Sequence, residues 1–585
     1  MTSNFGVVPL SGSLVMAALF AAAPVTRGTD RQTARAETQI SAPEKAPFAF
    51  TSESGPMAVS HDGKRLAFIA TFAGTNMIWV RSLDSDAAQR IVGTDGAHYP
   101  FWSPDDRFLG FFADGKLKKI AVSGGTAQTL CDAPQPRGGT WNADNTIVFA
   151  PGAHDPLSRI SSAGGKPVAI TRLDEKADEY SHRFPWFLQD GHHFLYLSQS
   201  SKGFSDSRIY VGSLDSDEKA PMISANSPAM SSFEGYFFFL RGRTLMAQRF
   251  DAKELRVLGE SRPVADDIQY FPNTASAMFA VADDGTLAFH RGPGRMSRMV
   301  WVDRSGKEVG SSHVSGNTQL PRISHRADRI VYSLADPVSG EGDLWILDVA
   351  RDVSTRFTSE RGDEVWAVWS RDDAQIAYSG GPHGSYDIFV KPSSGKDLAT
   401  VLYSSSATKF VNDWSSDGRY ILFQQIEHQP KAVWEIWVLN VATKTAAPLI
   451  QTQFNDEGAA FSPDGKWIAY ASDATGRKEL YIQPFPGPGA ARQISTNGGS
   501  EPQWTDDGKQ IYFRDGSDAM SRVDVETTSE VRACQPVMLF SLRARWLNIG
   551  GRQWQVASDR ERVLEDVLIP EVVPAPITIL TNWSK

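Results

Sequence analysis

The chain has little of three things. Only two of its 585 residues are cysteines, Cys131 and Cys534, which excludes a disulfide framework and a multi-cysteine zinc site. It has no basic run, and 59 Lys plus Arg against 68 Asp plus Glu leave a formal charge of −9. Nucleic-acid binding depends on displacing counterions from phosphates, so this charge balance argues against such a partner. Helix-forming periodicity is also scarce, while 48 Gly and 33 Pro suit a globular protein rich in turns.

Signatures of catalysis are missing too. There is no Gly-rich phosphate loop, H-R-D loop or D-F-G of a kinase, no G-x-S-x-G elbow and no H-E-x-x-H. Gly-Lys pairs such as Gly63-Lys64 and Gly465-Lys466 are never followed by Ser or Thr, so no P-loop is present. His192 and His193 follow a turn as neighbours on a strand, which points them to opposite faces and away from a shared ion. No cofactor or metal is expected. Acids scattered over several repeats would leave no local motif, so a channel-type lyase or hydrolase stays open as an alternative.

At the N-terminus "LVMAALFAAAPV" is an apolar run ending in Ala21, Ala22 and Ala23, the form of a signal peptide. Arginines follow the run rather than precede it, so residues 1–25 are read as a signal peptide or an N-terminal anchor and 26–45 as a polar linker. A periplasmic or secreted protein is expected, with membrane anchoring as the second choice.

What is abundant is one phrase. "FSPDGKWIAYASD" at 461–473 returns as "FWSPDDRFLGFFAD" at 101, "WSSDGRYILFQQ" at 414 and "WTDDGKQIYFRDG" at 504. Its turn residue recurs at Asp62, Asp105, Asp144, Asp190, near Gly235, and at Asp284, Asp328, Asp372, Asp417, Asp464, Asp507 and Asp559, in steps of about 39 to 52 residues. That is the length of a four-stranded propeller blade. In residues 457–496 a strand ends at Phe461, Asp464-Gly465 turns, residues 466–472 alternate as a second strand, and "ELYIQPF" and "ARQIST" supply two more. A blade is apolar on both faces and must stack on its neighbours. The aromatics beside the turn, Trp102, Trp141, Phe187, Trp369, Trp414, Phe461 and Trp504, are therefore expected to pack between blades.

Twelve copies give an all-β chain of two consecutive six-bladed β-propellers, 46–295 and 296–585, divided near "RGPGRMSR". Each ring is expected to close by strand exchange. "APFAFTS" (46–52) would complete the blade of "TLAFHRG", and "MVWVDRSGKEVGSS" the blade of "PITILTNW". Deleting the last ten residues would then destabilise the second ring and spare the first.

These repeats resemble the TolB-like, WD-type (WD40-like) β-propeller family over residues 48–583. The stretches that carry the likeness include "YPFWSPDDRFLGFFADGKLKKIAVSGGTAQTLCDAP", "FLQDGHHFLYL", "IYVGSLDS", "TLMAQRFD", "MVWVDRSGKE", "YIQPFPGPG" and "PITILTNW". Within the family they look most like the propeller region of bacterial serine/threonine kinases, here without a kinase domain. The resemblance implies a non-catalytic binding scaffold in the cell envelope with a protein or envelope ligand. A sensor that partners a separate kinase is a further alternative. The twelfth copy, "VASDRERVLEDV", departs from the pattern by lacking its Gly.

Residues three to six places before each turn aromatic should ring one mouth of each channel. In the first ring these include His98, Arg137, His182 and Arg183. In the second they include Asp363, Glu364, Asp456, Glu457 and Glu501, with Lys409 and Arg552 as exceptions. A cationic and an anionic mouth are expected, each focusing its field on a partner of opposite charge. Exchanging Arg137 and Arg183 for Glu would weaken capture and leave stability intact.

Overall fold

The computed structural model describes residues 35–200, 206–232, 234–272, 274–294, 296–382, 385–426, 433–487, 489–527, 531–545, 551–569 and 575–584. The expected signal peptide or anchor over 1–25 lies outside the described residues. Among those described, no helix is long and apolar enough to cross a membrane.

The repeated phrase makes the same hairpin each time. Ser462 Oγ donates to Asp464 Oδ1 at 2.6 Å, the Lys466 amide donates to that carboxylate at 3.1 Å, and the Trp467 amide donates to Ser462 Oγ at 3.0 Å. Gly465 supplies the left-handed φ of +66°. The hydroxyl-to-carboxylate contact recurs at Ser60–Asp62, Ser103–Asp105, Ser370–Asp372, Ser415–Asp417 and Thr505–Asp507. Short polar side chains that satisfy local amides fix the turn without tertiary help. In the twelfth copy, Arg560 takes the left-handed position with φ +59°.

Most sheets hold four antiparallel strands in chain order, such as Asp456–Phe461, Trp467–Ser472, Glu479–Pro484 and Arg492–Gln493. The second strand of a sheet is buried on both faces rather than alternately, because a neighbouring sheet covers each face. Buried clusters straddle adjacent sheets. In the first part of the chain they join the sheets that begin at residues 58, 98, 139, 179, 230 and 279, and the last returns to the first. A second circuit joins the sheets through residues 317–356, 363–403, 408–450, 456–493, 500–541 and 554–568 together with 297–315, and it also closes. The turn aromatics lie in these clusters as expected. Trp102, Trp369 and Trp504 also donate their indole N–H to a carbonyl of the preceding sheet, at Ala58, Arg322 and Ala460.

The closures differ from the expected pairing. Strand Ile577–Thr581, in "PITILTNW", pairs with Leu287–His290 on one side and with Ala36–Ile40 on the other, so the C-terminus completes the first circuit. Ser297–Asp303, in "MVWVDRSGKEVGSS", pairs instead with Arg562–Leu568. "APFAFTS" contributes a single bridge, Phe48 to Ala70, and otherwise packs into the cores. The last strand of the chain thus belongs to the first circuit and not to the second.

Ile577, Ile579 and Leu580 are buried in the first circuit. Deleting residues 576–585 should therefore destabilise that circuit by on the order of 5 kcal/mol and leave the second folded. Hydrogen exchange checks this: amides of Phe279–Val281 and Arg65–Phe72 should lose protection while those of Gln375–Gly381 keep theirs.

Candidate functional site

The innermost strand of several sheets carries a β-bulge at the same place. Register slips between His98 and Phe101, Arg183 and Trp186, Gln319 and Arg322, Val365 and Val368, and Ser500 and Gln503. Within these slips Tyr99, Phe184, Leu320, Trp366 and Glu501 take φ between +51° and +58°, a strained choice for such residues. A bulge re-aims a side chain, and here the result is a plug. A Cβ on Gly55 would lie 2.2 Å from the Tyr99 ring, and one on Gly138 would lie 3.1 Å from Phe184. Tyr99 and Phe184, their ring centres 6.1 Å apart, share a buried cluster with Ala275. In the second circuit Leu320, Trp366, Tyr386 and Phe410 form the plug, and a Cβ on Gly551 would meet Leu320 and Trp366 at 2.6 and 2.8 Å.

On the turn-bearing side of each plug is a funnel. The first encloses about 70 Å3 and is lined from all six sheets of its circuit, with Met57 and Ala58, Trp102, Gly139, Trp186, Met230 and Val281 among its walls. Its lining is mainly apolar and includes His61. The second, of about 150 Å3, carries His325, Arg371, Asp413, Asp506, Arg552 and Arg560. Arg371 reaches Asp506 at 3.3 Å and His325 at 3.1 Å. Burial pushes the Asp413 carboxyl up, against the Phe461 amide that donates to it at 2.8 Å and the charge of Arg552. Burial lowers Arg552 in turn, opposed by Asp413 and Glu501.

The residues expected at the mouths are mostly held inside the protein, and Arg552 lines the second funnel. Of the nine, eight are buried and His98 is half-buried. Arg137 meets the exposed Glu53 at 3.3 Å. Arg183 donates to Ser181 Oγ and to the carbonyls of Thr274 and Ala153, and burial, then Arg137, lowers it to about 10. His182 lies between Thr171 and Glu179, which also holds Lys219, and burial lowers its pKa. Arg137 and Arg183 are thus brought together, while His182 serves a separate network. Exchanging Arg183 for Glu would strand three buried acceptors, so the paired exchange would cost stability, contrary to the expectation above.

The acids of the second circuit are also held inside. Asp363 accepts from the Gly342 amide at 2.8 Å and from Tyr386 Oη at 2.6 Å. Asp456 accepts from Thr452, Glu457 from Lys478, and Glu501 from Trp554 Nε1 and Arg514. Burial raises all three. Lys409 donates to Asp387 and to the carbonyls of Tyr386, Ser405 and Ala407. Among the described residues no group of three His, Cys, Asp or Glu could hold a metal ion. Cys131 and Cys534 are free thiols.

The plugs and funnels were not among the sequence expectations. Their signal is an X-Pro step just before the aromatic slot: Tyr99-Pro100, Phe184-Pro185 and Glu501-Pro502 place Pro two residues ahead of Trp102, Phe187 and Trp504. Proline lacks the ladder N–H, and inside a sheet it is accommodated at bulges.

Glu364 has the clearest consequence. Burial, then the charges of Asp343 and Glu360, pushes its carboxyl up to about 9, so it is neutral in the fold at pH 7. A folded-state pKa above the unfolded value of about 4.5 gives stability that is complete below pH 4.5 and is lost as the pH rises toward 9. Glu364→Gln should therefore stabilise the protein at pH 8 by ~1 kcal/mol or more and change little at pH 5, as read from urea unfolding at the two pH values.

No family model matches the chain. Over 154 residues it is 27% identical to an uncharacterised protein of Agrobacterium fabrum, a match that takes in 25% of this chain and 49% of the relative. Over 156 residues it is 23% identical to the Tol-Pal system protein TolB of Helicobacter pylori, covering 26% of this chain and 37% of that one. The chain thus spans about half or less of the length of these curated relatives. The solved structure of a TolB homologue from Agrobacterium tumefaciens aligns with TM-score 0.36 at 18% identity, over 47% of this chain and 99% of its own. By its repeated turn, its stacked four-stranded sheets and these curated relatives, the chain is similar to TolB-like β-propeller proteins.

Proposed function

We propose that the chain is an exported, non-catalytic scaffold of two six-bladed propellers that captures a protein or other cell-envelope ligand through the funnels on its turn-bearing face. The observation that carries this reading is the first funnel. Six sheets converge on a small apolar recess, closed below by Tyr99 and Phe184 and rimmed by Trp186 and prolines. An apolar side chain of a partner would be desolvated on all sides there, the setting in which a few residues supply most of the binding energy. The periplasmic setting rests on the TolB-like kinship and on the N-terminal apolar run. Arg137, whose ion pair is with an exposed Glu53 and which also donates to the Pro136 carbonyl, is the binding residue carried forward.

A second reading has one observation in its favour. The second funnel sets a raised Asp413 carboxyl among His325, Arg371 and Arg552, an arrangement suited to acid–base work in a channel-type lyase or hydrolase. Turnover of an envelope polysaccharide by the full chain, abolished in Asp413→Asn, would establish it.

For the scaffold reading, Ala58→Glu places a carboxylate in the apolar funnel. Capture of a partner by in-cell cross-linking should fall ~10-fold, equivalent to about 1.4 kcal/mol, while the thermal midpoint stays within ~2 °C of the parent. Undiminished capture by a folded Ala58→Glu protein would reject the funnel as the binding site.

A further inference from the structure

The funnel of the second circuit, of about 150 Å3, is walled by all six of its sheets, with Ile323, Arg371, Trp414, Phe461, Trp504 and Val556 contributing one position each. Its cations are not equally satisfied. Arg371 reaches Asp506 at 3.3 Å, and Arg560 pairs with Asp507 at 2.9 Å. Arg552 lines the same funnel, yet no carboxylate among the described residues lies within ion-pair distance of it. Its Nη1 donates to the Pro502 carbonyl at 2.6 Å. That bond takes one of the five N–H donors of a guanidinium.

The two acids whose charges act on Arg552 are held by other groups. Asp413, also on the funnel wall, accepts from the Trp414 amide at 2.9 Å through Oδ1 and from the Phe461 amide at 2.8 Å through Oδ2. Glu501 accepts from Trp554 Nε1 at 2.6 Å and from Arg514 Nε at 3.3 Å. Backbone bonds thus fix Asp413 and Arg552 on one cavity without letting them close on each other. A separate sign of surplus positive charge comes from Arg322, which does not line the funnel. Its Nη1 donates to the Arg552 carbonyl at 2.9 Å, its Nε is buried with no partner, and burial, then the charge of Arg552, lowers it to about 9.

The two fixed groups select a ligand with two ends. A guanidinium with donors to spare takes a carboxylate by charge-assisted bonds, and a carboxyl beside it accepts from an N–H or O–H. Sulfate offers Asp413 no hydrogen, and a phosphate dianion would set a second negative charge against it. A carboxylate that carries its donor on the adjacent carbon meets both groups at once. We propose that the second funnel binds such a carboxylate, its oxygens on Arg552 and its neighbouring N–H or O–H donated to Asp413. The assignment rests on the reading of the funnels as capture sites and names the ligand class of the second. A free hydroxy acid and the C-terminal end of a partner chain offer the same chemistry.

Isothermal titration of the full chain with lactate and with acetyl-dialanine, each beside its uncharged amide, tests this. Saturable binding of the acids but not of the amides is expected, with lactate ~5-fold tighter than propionate, which lacks the hydroxyl. Arg552→Gln should weaken binding at least ~10-fold. Arg371→Gln, at a half-exposed side chain already paired with Asp506, should weaken it less than ~3-fold. Tighter binding of lactate identifies a free hydroxy acid as the source, and tighter binding of acetyl-dialanine identifies a partner's chain end. Absence of saturable binding by either acid, equal binding of acids and amides, or parental affinity in a folded Arg552→Gln protein would overturn the assignment. The comparison of acid with amide decides it even where that variant does not fold. Capture at the first funnel, read from Ala58→Glu, is independent of each of these results.

Discussion

The strand Ile577–Thr581 is the constraint on which closure of the first circuit depends. It enters the sixth sheet of the first circuit between Leu287–His290 and Ala36–Ile40. Without it Phe289 and Ala288 would lose their cross-strand partners Thr578 and Ile579, and the cluster that joins this sheet to the first would open. Because the strand arrives from the far end of the chain, the first circuit is complete only after the second has been made. The two units are sequential along the chain but interlocked in space.

Closure of the circuits makes the axis available, and the bulges decide how it is used. Left-handed residues in the inner strands fill the centre with Tyr99 and Phe184 in one circuit and with Leu320 and Trp366 in the other. Each centre is thereby filled, and in the first circuit the turn-bearing side becomes a funnel closed by Tyr99 and Phe184. The same backbone device serves opposite chemistries, since the first funnel is apolar and the second carries arginines and a raised carboxylate. Fold and site are separable here: the turns build the frame, and the residues beside the bulges set what it can hold.

The repeat was legible because its physics is local. Ser462, Asp464 and Gly465 specify a hairpin by themselves, and Trp504 needs only a neighbouring sheet to pack on. Closure was not legible. "AETQI" reads as polar linker, since four of its five residues stay exposed, and "PITILTNW" is β-prone enough to pair in either circuit. Non-local pairing depends on which edges remain open, and a linear pattern does not carry that information. The burial of the mouth charges was hidden for a related reason. Counting back from the aromatic placed Arg183 and Glu364 beside the axis, but whether a residue there meets water or carbonyls depends on the bulge between them. The X-Pro steps at Tyr99 and Phe184 announced that bulge.

A partner held in the apolar funnel of the first circuit would lie against Met230. A photo-cross-linking amino acid at Met230, on the funnel wall, compared with one at Val401 on an exposed outer strand, tests it most directly in living cells. One discrete adduct from Met230 is expected, and none of that mass from Val401. Equal adducts from both positions, or none from Met230 while the outer strand cross-links, would contradict it.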